Sequence, residues 1–238
     1  MIAVLVVSHS RPLAEAAVSL ASQMVGAGDV PVAIAAGTAE GGLGTDALAV
    51  VAGLEQLDNP DGTLVLSDLG SAVLSAEMAL EMVDPSVARR VLLSPAPLVE
   101  GLVAGLVTAG SGAGLRECAA EAARGLAAKQ AHLGGDELGE VESSDADGAE
   151  VRAAIVRIVN PSGLHARPAA TLVSAAGKLG GEIRLRNVTT GSGWVSAVSL
   201  TGVMILGAAL GHEVEVEAGD PAAVSALVEL IAAGLGEL

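Results

Sequence analysis

The sequence predicts an α/β protein in two parts. A mostly parallel sheet with helices is expected over residues 1–133, and a small α+β domain over residues 151–238. Three observations carry this. In the first part, short strands that are apolar throughout alternate with helical stretches, the pattern of a parallel sheet buried on both faces. In the second part, Glu213–Ala218 alternates charged and apolar residues, as a half-exposed strand does. Between them lies GGDELGEVESSDADGAE, residues 134–150, with seven acidic residues and no basic one. That composition reads as a solvated linker, and 17 such residues have an r.m.s. reach of roughly 23 Å.

Ile2–Val7 is a continuous apolar run and the first predicted strand, ending at Ser8-His9-Ser10. Pro12 suits the first turn of the helix that follows, where Leu13, Ala16, Ala17, Leu20 and Met24 repeat with helical spacing. Pro31–Ala35 is the second strand, followed by a glycine-rich loop. Thr45 is placed to cap a helix from Asp46 to about Leu57. Thr63–Ser67 is the third strand, and Asp68-Leu69-Gly70-Ser71 leads into a helix through about Met82. Val91–Leu93 is the fourth strand, with helices expected over Leu98–Thr108 and Leu115–Leu133.

The second part opens with a strand over Val151–Val159 and a turn at Asn160-Pro161-Ser162-Gly163. A helix is expected from about Ala166 to Leu179. Glu182–Asn187 and Gly193–Ala197 read as strands, and Ser199 caps a short helix through Leu210. Asp220 caps the last helix, with Pro221 at its first position.

Composition excludes several function classes. The chain of 238 residues has 12 basic and 28 acidic residues, a net charge of −16. Nucleic-acid backbones and anionic membranes would be repelled. There is no Phe, no Tyr and one Trp, Trp194, so aromatic stacking platforms are excluded. The single Cys118 excludes an internal disulfide and a multi-cysteine metal site; it reads as a small apolar filler. No cofactor and no metal is expected: the sequence has no G-x-x-x-x-G-K-[ST] loop, no G-x-G-x-x-G and no H-E-x-x-H. MIAVLVV at the start lacks a preceding basic region and is too short for a signal peptide, and no apolar stretch is long enough to span a bilayer. A cytoplasmic location is expected.

Four histidines remain. His9 ends the first strand, at the sheet edge where open α/β sheets bind ligands. Asp68 follows the third strand at the same edge. A carboxylate there can hold one imidazole nitrogen and leave the other as a nucleophile. The helix start at Gly70-Ser71 offers backbone N–H groups to a phosphoryl oxygen, and Thr45 stands at another helix start. The plain alternative is that His9 is an ordinary polar residue at a strand end. His165 precedes a helix, with Arg167 and Pro168 in its first turn; negative charge placed on His165 would be stabilised there, and Arg167 can add a charge-assisted contact. The alternative is a surface residue beside an N-cap. His132 and His212 read as solvated surface residues.

Gly163-Leu164-His165-Ala166-Arg167-Pro168-Ala169-Ala170 matches the active-site signature of HPr, the histidine-phosphorylated carrier of the phosphotransferase system. Residues 151–238 resemble HPr throughout. The resemblance implies an open-faced sandwich, phosphorylation of His165 by enzyme I, and assistance from Arg167. Val6-Val7-Ser8-His9-Ser10, Ala35-Ala36-Gly37, Gly44-Thr45-Asp46-Ala47, Asp68-Leu69-Gly70-Ser71-Ala72 and Ser75-Ala76-Glu77 carry a second likeness. Residues 1–133 resemble the mannose-type enzyme IIA family, most closely the phosphotransfer subunits of phosphotransferase-dependent dihydroxyacetone kinases. That implies a doubly wound sheet, phosphorylation of His9, orientation by Asp68, and a homodimer through the first domain. Implied partners are a separate enzyme I, a nucleotide-binding kinase subunit carrying ADP, and a dihydroxyacetone-binding subunit. Two other functions stay open: a IIA component of a mannose-type sugar permease, and a regulatory module that reports phosphorylation state.

Overall fold

A computed structural model describes residues 1–25, 30–133 and 152–237, with the side chain of residue 132 left out. The predicted linker at 134–150 and the His132 side chain therefore lie outside the described residues. The chain forms two compact units, Met1–Leu126 and Ala127–Leu238.

The first unit runs β1 (Ala3–Ser8), α1 (Arg11–Ser22), β2 (Val32–Ala36), α2 (Ala47–Leu57), β3 (Thr63–Ser67), α3 (Gly70–Met82), α4 (Pro85–Ala88), β4 (Val91–Ser94), α5 (Leu98–Gly110) and α6 (Leu115–Arg124). All strand pairs are parallel, in the order β2-β1-β3-β4. Side chains alternate across β1, so its two faces feed two cores. Val4 and Val6 pack with Ala14, Leu102, Leu106 and Cys118. Leu5 and Val7 pack with Val50, Leu54, Ala72 and Ala76. Helices thus cover both faces, the doubly wound arrangement. The chain leaves β1 for β2 on one side and returns to β3 on the other. The crevice between the carboxyl ends of β1 and β3 is the switch point where such sheets bind ligands.

Three local expectations change in this unit. Asp46, not Thr45, caps α2: its Oδ1 accepts from Leu48 N at 2.9 Å, while the Thr45 hydroxyl is 2.8 Å from Ser75 Oγ. The expected helix Leu115–Leu133 is broken, because α6 ends at Arg124. At the break Gly125 lies so close to Glu100 that a Cβ would sit 2.8 Å from its carbonyl. The short α4, capped by Asp84, was not expected. Cys118 is fully buried; burial, and then the charge of Glu117, push its thiol up to about 12.

The second unit runs α7 (Ala127–His132), β5 (Arg152–Arg157), α8 (Ala166–Leu179), β6 (Ile183–Asn187), β7 (Val195–Ser196), α9 (Leu200–Ile205), β8 (Glu213–Ala218) and α10 (Pro221–Ala232). Its sheet is antiparallel, in the order β5-β8-β6-β7. Ile183, Leu185, Val214 and Val216 bury one face beneath the helices, with Leu172, Val173, Val224 and Leu227. The other face is laced by cross-strand charges: Arg184 pairs with Glu217, and Arg186 with Glu215. Trp194 lies under both guanidinium groups, 4.6 Å from that of Arg186. Ser199 and Asp220 cap α9 and α10 through their side chains. α9 stops at Ile205, short of the expected Leu210, where Gly207 turns the chain at φ +54°. His212 is half-buried rather than solvated, with Nδ1 3.1 Å from Asn187 Nδ2.

No helix among the described residues is long and apolar enough to cross a membrane.

Candidate functional site

The register of β1 and β3 places Val7 beside Ser67, so the next residues on both strands, Ser8-His9 and Asp68, meet at the sheet edge. Asp68 is the centre of this meeting. Its Oδ2 accepts from the His9 backbone N–H at 2.8 Å and from Ser8 Oγ at 2.9 Å. Its Oδ1 accepts from His9 Nδ1 at 2.9 Å and from Leu69 N at 2.8 Å. Burial raises the carboxyl's proton affinity, but the hydrogen bonds from His9, Ser8 and Leu69 outweigh it and hold Asp68 below the usual carboxylate range. An ionised carboxylate only accepts, so the network assigns a proton to His9 Nδ1. The neutral ring then carries its lone pair on Nε2. Ser71 Oγ lies 2.7 Å from that nitrogen.

Ser71 and Gly70 form the first turn of α3, whose N–H groups precede its first intrahelical bond. A phosphoryl group on Nε2 therefore has Ser71 Oγ beside it, with the positive end of a helix dipole close by. Thr45 is not brought to the imidazole. Its hydroxyl bonds to Ser75, one helical turn beyond Ser71, while Gly44 N donates to the His9 carbonyl at 2.9 Å. The loop before α2 is thereby tied to the His9 backbone, and Thr45 braces the outer wall of the site.

His165 occupies the N-cap position of α8, with φ −78° and ψ −178° and no capping bond from its side chain. Gly163 delivers it. At φ +68° a Cβ on Gly163 would lie 2.5 Å from the Ala208 carbonyl, and Leu164 N donates to that same carbonyl at 2.8 Å. His165 Nε2 lies 3.1 Å from Glu237 Oε1. With Nε2 facing a carboxylate, Nδ1 carries the lone pair, at the start of α8. Arg167, in that first turn, is exposed.

Sequence reasoning placed His9, Asp68, Gly70, Ser71, His165 and Arg167 at strand and helix ends. It assigned no role to Ser8, whose fully buried hydroxyl supports Asp68, nor to Glu237. A polar residue closing an apolar strand run was the only signal for Ser8. Glu237 reaches His165 from the far end of the unit and carries no local signature.

Two family models match the chain. Residues 3–121 match the family model of the PTS system fructose IIA component, and residues 152–233 match that of the PTS HPr component phosphorylation site. The phosphoryl donor subunit DhaM of the PEP-dependent dihydroxyacetone kinase of Klebsiella michiganensis is 35% identical over 245 residues, covering all of this chain and 51% of the relative. DhaM of Escherichia coli is 42% identical over 178 residues, 73% of this chain and 38% of the relative. A DhaM from Listeria innocua is 38% identical over 101 residues, 42% of this chain and 80% of the relative. The chain spans about half, or less, of the length of the two longer relatives. The chain thus carries a IIA-type domain followed by an HPr-type domain, and it belongs to the DhaM family.

Proposed function

We propose that the chain is a cytoplasmic phosphohistidine relay of the phosphoenolpyruvate-dependent phosphotransferase system. It takes a phosphoryl group from enzyme I on His165 and passes it to His9. His9 then gives it to ADP bound on the nucleotide-binding subunit of a dihydroxyacetone kinase, whose partner subunit holds dihydroxyacetone. One observation carries this reading. Each histidine has one ring nitrogen engaged by a carboxylate, and the engaged nitrogens are opposite ones: Nδ1 of His9 by Asp68, Nε2 of His165 by Glu237.

The chemistry follows from that asymmetry. The lone pair of His9 Nε2 attacks phosphorus as the bond from phosphorus to His165 Nδ1 breaks. The leaving imidazole keeps its proton on Nε2, donated to Glu237, and recovers its lone pair at Nδ1. The His9 ring gains positive charge as the new P–N bond forms, and Asp68 beside Nδ1 opposes that charge. Ser71 Oγ and the first turn of α3 meet the phosphoryl oxygens. Arg167 has the matching role at His165. Carrying donor and acceptor histidines on one chain raises their effective concentration, to the mM range when the connecting segment is short.

A homodimer through the first domain belongs to the same proposal. Leu74, Met78 and Met82 recur every four residues along α3 and are 61%, 57% and 52% exposed, an apolar stripe suited to a second copy.

The test mixes the protein with enzyme I, phosphoenolpyruvate and the nucleotide-binding kinase subunit carrying ADP. ATP is expected. His9→Ala should leave His165 chargeable and stop ATP formation, and His165→Ala should stop labelling of His9 by enzyme I. ATP formed at the normal rate by either variant would overturn the relay. Transfer to the histidine of a sugar-permease IIB component, with none to ADP, would assign the permease function instead.

A further inference from the structure

Asn160 is fully buried between β5 and α8, and it touches both arms of the His165 site. Its carbonyl accepts from Gly163 N at 3.0 Å, closing the turn that presents His165. Its side-chain nitrogen donates to the Gly234 carbonyl at 2.8 Å and to Glu237 Oε2 at 2.9 Å. Both partners only accept, so the orientation of the amide is fixed. The opposite oxygen of the same Glu237 carboxylate is the one that meets His165 Nε2.

The cost of this arrangement is visible. Asn160 Oδ1 is buried with no partner among the described residues, a penalty an apolar residue would avoid. The turn after α10 puts Gly234, Leu235 and Gly236 at φ +77°, +52° and +82° in succession. Leu235 is a branched residue in the left-handed region, held there with its side chain buried. A strained turn and an orphaned acceptor converge on one carboxylate.

We propose that Asn160 is a positioning residue for phosphoryl transfer. It clamps one oxygen of Glu237 so that the other holds the proton on His165 Nε2 and keeps the lone pair on Nδ1. This rests on the reading of His165 as a phosphohistidine, and the test separates the two.

The experiment uses the full chain carrying His9→Ala, so that only His165 is charged. Glu237→Gln and Asn160→Leu are made singly and together, and the initial rate of charging by enzyme I and phosphoenolpyruvate is measured. Each single change should slow charging about tenfold, and the double variant should be no slower than the slower single, because both act through one carboxylate. Losses that multiply in the double variant, or an Asn160→Leu protein that charges normally, would overturn the proposal. The second readout is the ¹⁵N spectrum of the neutral His165 ring in the uncharged protein, taken also for Asn160→Ala in case the leucine variant does not fold. The parent should show the proton on Nε2, and either Asn160 variant should show a mixture of tautomers. An unchanged tautomer would refute the positioning role. A parent that enzyme I does not charge would sink the phosphohistidine reading, while the tautomer measurement would still decide for or against Asn160.

Discussion

Replacing Asp68 with Asn changes one atom and sets four donors against a group that can no longer accept them all. Asp68 Oδ1 and Oδ2 each accept from two donors, and one of each pair is a backbone N–H: Leu69 at Oδ1, His9 at Oδ2. Whichever way the new amide turns, its NH₂ group faces one of these backbone donors. Ser8 can escape, since its hydroxyl also lies 3.2 Å from the Ser10 carbonyl, but a backbone N–H cannot. The opposed donor alone costs about 1–3 kcal/mol of stability. With NH₂ toward His9 Nδ1, the ring is driven to carry its proton on Nε2, where it is no longer a nucleophile. With NH₂ the other way the tautomer survives, but the charge developing on the ring has no counter-charge. Single-turnover transfer from charged His165 to His9 should fall by about 10²–10⁴. Stability also has a pH signature. A carboxyl held below its ordinary value of 3.8 stabilises the folded state fully above that pH and loses its contribution as pH falls through the lower, folded value. In urea unfolding, the gap between the parent and Asp68→Asn should be full near neutrality and close in acid below about pH 3.8. Transfer at the parent rate, or a gap independent of pH, would refute the network as described.

Three further outcomes follow from the same geometry. Ser71→Ala removes an exposed hydroxyl 2.7 Å from His9 Nε2, so transfer to His9 should fall about three- to tenfold, from about 0.5–1.5 kcal/mol, with the urea midpoint unchanged. Gly163→Ala forces a Cβ against the Ala208 carbonyl at a left-handed φ; thermal unfolding of the second unit should reveal a loss of about 2–4 kcal/mol, and charging of His165 should fall with it. Cys118, buried with its thiol at about 12, should resist alkylation in the native protein and react once denaturant opens the first unit.

Both sheets were legible because burial imposes its own pattern. Thr63–Ser67 was read with its observed bounds, since a strand covered on both faces is apolar throughout. Ser8 was missed as part of β1 because the carboxylate that its buried hydroxyl supports, Asp68, lies 60 positions away. The break between α6 and α7 was illegible for a related reason. Gly125 reads as a tolerated helical glycine until Glu100 is seen to lie against it. The histidines and Asp68 were legible because topology brings strand and helix ends together. Which ring nitrogen each histidine leaves open was not, because that depends on side-chain contacts made at long range. Glu237 and Asn160 are 77 residues apart, and although Asn160 was read as a turn residue, nothing local to either one marks their contact. The placement of the charges that sum to −16 was also hidden in the sequence. In the second unit, Arg184 and Arg186 pair across strands with Glu217 and Glu215, an arrangement that leaves the net charge unchanged and that a sum over the sequence does not reveal.

The central claim is that two histidines carry phosphoryl on opposite ring nitrogens. It is tested most directly by charging uniformly ¹⁵N-labelled protein with enzyme I and phosphoenolpyruvate and recording ³¹P and long-range ¹H–¹⁵N spectra. Two phosphohistidines are expected, one at Nδ1 of His165 and one at Nε2 of His9, the first lost in His165→Ala together with the second. A single phosphohistidine, the same nitrogen on both rings, or a His9 charged without His165 would contradict the account.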